Sequence, residues 1–246
     1  MKRREKDVGG GWKIQEFLLT KEGSRIGRHT RYLYKDKLAK RIPLTGKLAE
    51  NLAGYALIEK DLRSILIWLA EIDKMYPKVE QGKDSAISPD RERFDVIKGL
   101  FIASLIFYGK CFSSCEGRRT KLDRKLLNRE YRDTHHEIII MRHNLAAHSG
   151  ADKFEDVVIS LVLPPKKKQN LSPNIFRELS QADLVISDED EVSFEELVKH
   201  VQKKVLDKIK VVEDKILNEE VMTKGKDYWY RQAKKIKEPK IENGDQ

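Results

Sequence analysis

Apolar residues that recur every three or four positions constrain this chain more than any other feature. Over 47–75, Leu48, Leu52, Tyr55, Leu62, Ile65, Leu69 and Ile72 keep that spacing, which lines up one face of a helix. Pro77 ends the segment, and the turn-forming stretch EQGKDSAISPD follows. A second helix is expected over 91–112, carried by Phe94, Ile97, Phe101, Leu105, Tyr108 and Phe112. Ile102 and Ile106 extend its apolar character around most of the girth, so it should be the central core helix. A third helix covers about 131–149, with Ile138, Met141 and Leu145 on one face and Gly150 suited to its end.

Ser193 and Glu196 form a capping box that opens a long helix to about Met222. Its apolar positions are Leu197, Val201, Val205, Ile209, Val212 and Ile216, a spacing that also suits packing on a partner helix. Before it, two apolar runs at 157–163 and 183–187 read as the short strands of a small hairpin. The expected fold is therefore mainly α: a helical bundle over 47–222 with a β-hairpin inserted before the last long helix. Residues 1–46 read as a basic N-terminal segment, with a flexible break at Gly9–Gly11 and a short helix about Lys13–Leu19. Residues 223–246 are polar and lysine-rich and read as a frayed tail.

Charge is distributed unevenly. Residues 1–47 hold 14 Lys/Arg against 5 Asp/Glu, which accounts for the whole formal net charge of +9. A basic arm on a neutral body suits a polyanion, because each neutralised phosphate releases counterions; the same charge also serves solubility. The longest apolar run, Gly99–Tyr108, is too short to cross a bilayer, and no apolar stretch follows the charged start. No membrane association is expected. Cys111 and Cys115, the two cysteines, stand four apart on a helix where a bridge would be strained. That favours a reducing, cytoplasmic location.

Chemistry concentrates in His135–Gly150, HHEIIIMRHNLAAHSG, which holds four of the six histidines and one arginine. Imidazoles exchange protons near neutral pH, and a guanidinium grips phosphate oxygens with a fork of donors. Together they suit RNA cleavage, in which the RNA supplies its own 2′-hydroxyl nucleophile and no cofactor or metal is required. Arg142 and His148, six residues apart, lie ~120° apart around a straight helix. One helix alone does not aim both at one phosphate. Either the helix unwinds near Ser149 and Gly150, or two helices combine their residues, as two chains about a twofold axis would.

The stretch Met141–Gly150 resembles the signature of the HEPN superfamily: an arginine, a polar residue, and a histidine after four to six intervening positions. Arg142, Ala147, His148 and Ser149 match the abortive-infection-type variants. His143 stands where asparagine is common, with Asn144 after it. The upstream stretch Tyr108–Leu122 and His136 also fit the pattern of similar members.

The resemblance implies a homodimer with the motif helices at its interface and metal-independent RNA cutting. It also implies a toxin or phage-defence setting in which an antitoxin or another defence-system protein is the partner. Arg142, His143 and His148 would be catalytic, with His136 and Asn144 supporting. Arg118, Arg119 and Lys121 would hold the RNA backbone. The alternative is a non-catalytic module that uses the same helices to dimerise and binds nucleic acid or a partner.

Each assignment has a plainer counterpart: a salt-bridged arginine at 142, a dipole-capping or core histidine at 148, a solvated basic loop at 118–121. Cys111, Cys115, His136 and His143 are zinc-type ligands, but no pair among them has a recognised finger spacing.

Overall fold

A computed structural model describes residues 3–21, 24–75, 91–147, 155–164, 173–181 and 192–236. Among them the chain is predominantly helical, with two small antiparallel sheets. It divides into two compact units, 50–212 and 1–49 with 213–246.

The first unit is built on helices α1 (Lys47–Met75), α2 (Arg91–Phe112), α3 (Arg132–Ala147) and α4 (Phe194–Lys215). The first two match the expected bounds. Ile58, Leu62 and Ile65 of α1 meet Leu105, Tyr108 and Cys111 of α2, Ile138 of α3, and Leu197, Val198, Val201 and Val205 of α4 in one core. Each fully buried aliphatic side chain there contributes about 1.5–3 kcal/mol relative to exposure. Ile106 is 40% exposed, so part of the apolar girth of α2 is left outside the core. The capping box forms as expected: Ser193 Oγ accepts from Glu196 N at 3.2 Å, and Ser193 N donates to Glu196 Oε2 at 2.9 Å. A strand pair, β5 (Glu155–Val162) and β6 (Asn174–Gln181), joins α3 to α4. The expected second strand, 183–187, lies outside the described residues. The observed partner strand, NIFRELSQ, mixes charged and apolar residues and carries little β-branched signal.

In the second unit the N-terminal segment is a sheet, which corrects the reading of a flexible arm with a short helix. Strands β1 (Arg3–Gly9), β2 (Trp12–Lys21), β3 (Ser24–Tyr34) and β4 (Lys37–Leu38) form an antiparallel meander in chain order. Lys13–Leu19 lies inside β2, paired with β3 throughout and with β1 as far as Phe17. Gly10 and Gly11 have φ of +61° and +82° and make the tight two-residue turn that the twist of a hairpin prefers. The turn at Lys35 and Asp36 has φ of +48° and +60°, and Lys35 N donates to Gly11 O at 2.8 Å. The glycines thus specify a hairpin rather than a flexible break.

The expected frayed tail is also corrected. Beyond α4 the chain runs through a π-helical segment, Ile216–Val221, and a short 3-10 turn into α5 (Gly225–Lys235). Trp229 Nε1 donates to Val221 O at 2.8 Å and ties α5 to that segment. No helix among the described residues is long and apolar enough to cross a membrane.

Candidate functional site

Residues of α3 divide by face. His135, Ile138 and Arg142 fall on the stripe that meets α2, since seven residues are nearly two turns. His136 and His143, also seven apart, lie on the neighbouring stripe and are exposed.

Arg142 is half-buried and lies across Gly109 of α2. A Cβ built at Gly109 would stand 2.3 Å from Arg142 Cδ and 2.7 Å from its Nε. In this pose the end of the Arg142 side chain occupies the space a Cβ at Gly109 would take, so a larger residue there makes Arg142 shift. Among the described residues no carboxylate pairs with Arg142. Asn144 is half-buried. His148 lies outside the described residues, so the separation of Arg142 and His148 stays within the sequence argument.

His135, read in the sequence as support or surface, belongs to the core. It is 7% exposed, and its Nδ1 shares a 2.8 Å hydrogen bond with Tyr108 Oη. Phe112 and Phe194 complete an aromatic cluster, with ring centroids 4.6 Å from His135 and 5.4 Å from Tyr108 respectively. Burial pushes the His135 pKa down to about 4, helped by the nearby charges of Arg124 and His136. Burial also pushes the Tyr108 phenol up. Both rings are therefore neutral across physiological pH, and the bond joins neutral partners that cement α2 to α3.

The basic linker after α2 alternates in burial. Arg118, Thr120 and Leu122 are buried, while Arg119 and Lys121 are exposed. The assignment of Arg118 to RNA backbone is thereby corrected. Gly117, at φ of +76°, turns the chain back so that the Arg118 side chain is 4% exposed. Its Nη1 sits 3.5 Å from Oδ2 of Asp61, a carboxylate 1% exposed on α1, and its Nη2 donates to Lys110 O. Lys60 and Lys110 add ammonium groups 2.5 Å and 3.5 Å from the Asp61 carboxylate oxygens. A buried carboxylate demands such company, because desolvating a lone charge costs several kcal/mol. The hint was present in the sequence: Asp61 sits between Ile58, Leu62 and Ile65 on an apolar face. Thr120 donates to Asn51 Oδ1 at 2.8 Å and fills the space over Gly54.

Arg119 remains at the surface, 80% exposed and paired with Glu50 at 2.5 Å. Lys121 is exposed. Cys111 is buried, donates to Phe107 O at 3.2 Å, and has its thiol pushed up to about 12 by burial and by Asp61. Both cysteines are free. Among the described residues no three His, Cys, Asp or Glu side chains gather into a cation site. His200, which the sequence reading passed over, stacks on Tyr131 at 4.1 Å and accepts from Asn128 N at 3.4 Å.

No protein family, curated protein or solved structure matches the chain.

Proposed function

We propose that this chain is a metal-independent endoribonuclease of HEPN type that acts as a twofold dimer. The observation that carries the reading is Arg142: a charged group seated on Gly109, with no described carboxylate to neutralise it, inside the one segment dense in histidine. A guanidinium lying beside α2 with no described counter-ion is available to meet charge that develops on a phosphoryl group. In the reaction the 2′-oxygen bonds to the adjacent phosphorus while the bond to the 5′-oxygen breaks. One imidazole takes the hydroxyl proton and another delivers a proton to the leaving oxygen. The products are a 2′,3′-cyclic phosphate and a 5′-hydroxyl.

His148 and His143 are the proton carriers in this reading, Arg142 stabilises the transition state, and the twofold supplies the second copy of each. His136 and Asn144 support the site. The setting is a toxin or phage-defence system in the cytoplasm, with an antitoxin or other defence-system protein as the restraining partner. The support for the setting is the motif resemblance.

The test is cleavage of total RNA and tRNA by purified protein in excess chelator, comparing wild type with Arg142→Ala and His148→Ala. Both variants lose about 100-fold or more in rate, and the wild-type products carry cyclic phosphate ends. Cutting that survives both substitutions sinks the site assignment. No cutting by the wild-type dimer leaves the non-catalytic binding module as the better reading.

A further inference from the structure

The N-terminal sheet has two unlike faces, and the difference assigns it a role. Strand alternation and register place Trp12, Ile14 and Glu16 of β2 on one face, with Tyr34, Tyr32 and Thr30 of β3 directly across from them. Lys6 and Arg4 of β1 continue the rows beyond Ile14 and Glu16, and Lys37 of β4 continues the row beyond Tyr34. On this face Trp12 is 43% exposed, Tyr32 36% and Tyr34 42%. Trp12 and Tyr34 lie with centroids 4.9 Å apart, and Lys35 Nζ sits 5.4 Å from the Tyr34 ring.

The other face is closed around Phe17 and mixes charges of both signs. Phe17 and His29, paired across β2 and β3, are 5% and 8% exposed. Glu5 accepts from Gln15 Nε2 at 2.8 Å, Asp7 accepts from Gly9 N at 2.8 Å, and Asp36 pairs with Lys13 at 2.6 Å. Lys13 and Arg31 share that face with Glu5 and Asp7, whereas on the aromatic face Arg4, Lys6 and Lys37 stand with one described acid, Glu16, opposite Arg4. Large aromatic rings there stand open to solvent among an excess of cations.

We infer that this aromatic face is a binding platform for single-stranded nucleic acid, separate from the α3 site. Charge complementarity and ring geometry together select this occupant. All of the net +9 resides in this segment, which favours a polyanion. The open rings favour a strand whose bases are free to stack, since every base has a π-face and a duplex hides it. Tyr32 and Tyr34 stand two residues apart, ~6.6 Å along the strand. That is about twice the 3.4 Å rise of stacked bases, a distance an unstacked single strand can span. The platform reads no sequence: it offers rings to bases, and Lys6, Arg4 and Lys37 to phosphates. Lys35 covers one side of Tyr34 and is displaced toward phosphate on binding.

The experiment uses the full-length protein and two labelled 12-mers, oligo-dT and 2′-O-methyl oligo-U. Neither offers a free 2′-hydroxyl, so binding is scored whether or not the protein cuts RNA. Fluorescence anisotropy at low salt should show both bound, with quenching of tryptophan emission that Trp12→Phe largely removes. Trp12→Ala with Tyr34→Ala should weaken binding at least tenfold. Lys6→Ala and Lys37→Ala should weaken it and flatten its salt dependence. Lys13→Ala, on the closed face, should leave it as it was. If the double alanine variant fails to fold, Trp12→Phe with Tyr34→Phe should keep binding while the lysine variants lose it. The inference is overturned if neither 12-mer binds, or if a folded double alanine variant binds as the wild type does. It is equally overturned if a 12-base-pair duplex or a vesicle rich in anionic lipid binds as tightly as the single strands.

Discussion

The helical unit and the N-terminal sheet treat their side chains in opposite ways. In the helical unit, polar residues that look available for chemistry are withdrawn. Arg118 is sealed beside Asp61, and His135 is locked to Tyr108 inside an aromatic cluster. In the sheet, residues that look like core are offered to solvent: Trp12, Tyr32 and Tyr34 stand on the open face. Residue type signals what a side chain can do, while burial decides whether it does it. The contrast also isolates Arg142, which lies across Gly109 with no carboxylate partner among the described residues.

The largest effect expected from breaking this contrast is at the sealed ion cluster. Arg118→Ala leaves Asp61 buried with only the two lysines for company, and should cost about 3–5 kcal/mol by urea unfolding. Asp61→Leu with Arg118→Met should recover most of that loss. If Arg118→Ala is neutral to stability but weakens RNA binding, the surface role is restored and the sealed reading fails.

Next comes the seat of Arg142. Gly109→Ala should displace the flexible end of Arg142 and slow RNA cutting by up to about 100-fold, with little change in stability. Arg142→Ala should slow cutting at least as much, and adding Gly109→Ala to it should cost nothing further. Cutting by Gly109→Ala at the wild-type rate would show that Arg142 does not act from its place across α2.

His135 gives a comparable effect through pH. Its folded pKa, about 4, lies below the usual 6.5, so the unfolded chain takes up the proton first as pH falls. Its neutral form supports the fold fully above about pH 6.5, and that contribution drains away between about 6.5 and 4. The loss should be roughly 2 kcal/mol, seen as the drop in urea midpoint from pH 7 to 4.5. His135→Gln should be weaker at pH 7 and show a smaller drop. An equal drop in the variant would mean that His135 is hydrated and chargeable in the fold.

The smallest effect is at an exposed cap, where nothing is withdrawn. Ser193→Ala should cost about 1 kcal/mol at neutral pH and soften the loss of stability in acid, because the Ser193 N–H and then its hydroxyl hold the Glu196 carboxyl below the usual range.

Much of the helical architecture was legible because it is local. The bounds of α1 and α2 and the capping box at Ser193 follow from spacing and short-range hydrogen bonding alone. The sheet was missed although its turns were written in glycine, because Gly9–Gly11 read as freedom rather than as a required positive φ. The alternation of Arg118, Thr120 and Leu122 against Arg119 and Lys121 was likewise visible, but charge outweighed period in its reading. Of the candidate site, the motif at Arg142 and His143 was readable. The seat on Gly109 was not, since it joins residues 33 positions apart.

Sequence by itself therefore determined the bounds of α1 and α2 and the start of α4, where titratable groups cluster, and that all net charge lies before residue 48. Hydrophobic period, caps and composition are properties of neighbours along the chain. Tertiary structure alone decided which charges are neutralised and which rings are open. Desolvation depends on what arrives from distant segments: Asp61 captures Arg118 from 57 residues away, and Tyr108 captures His135 from 27.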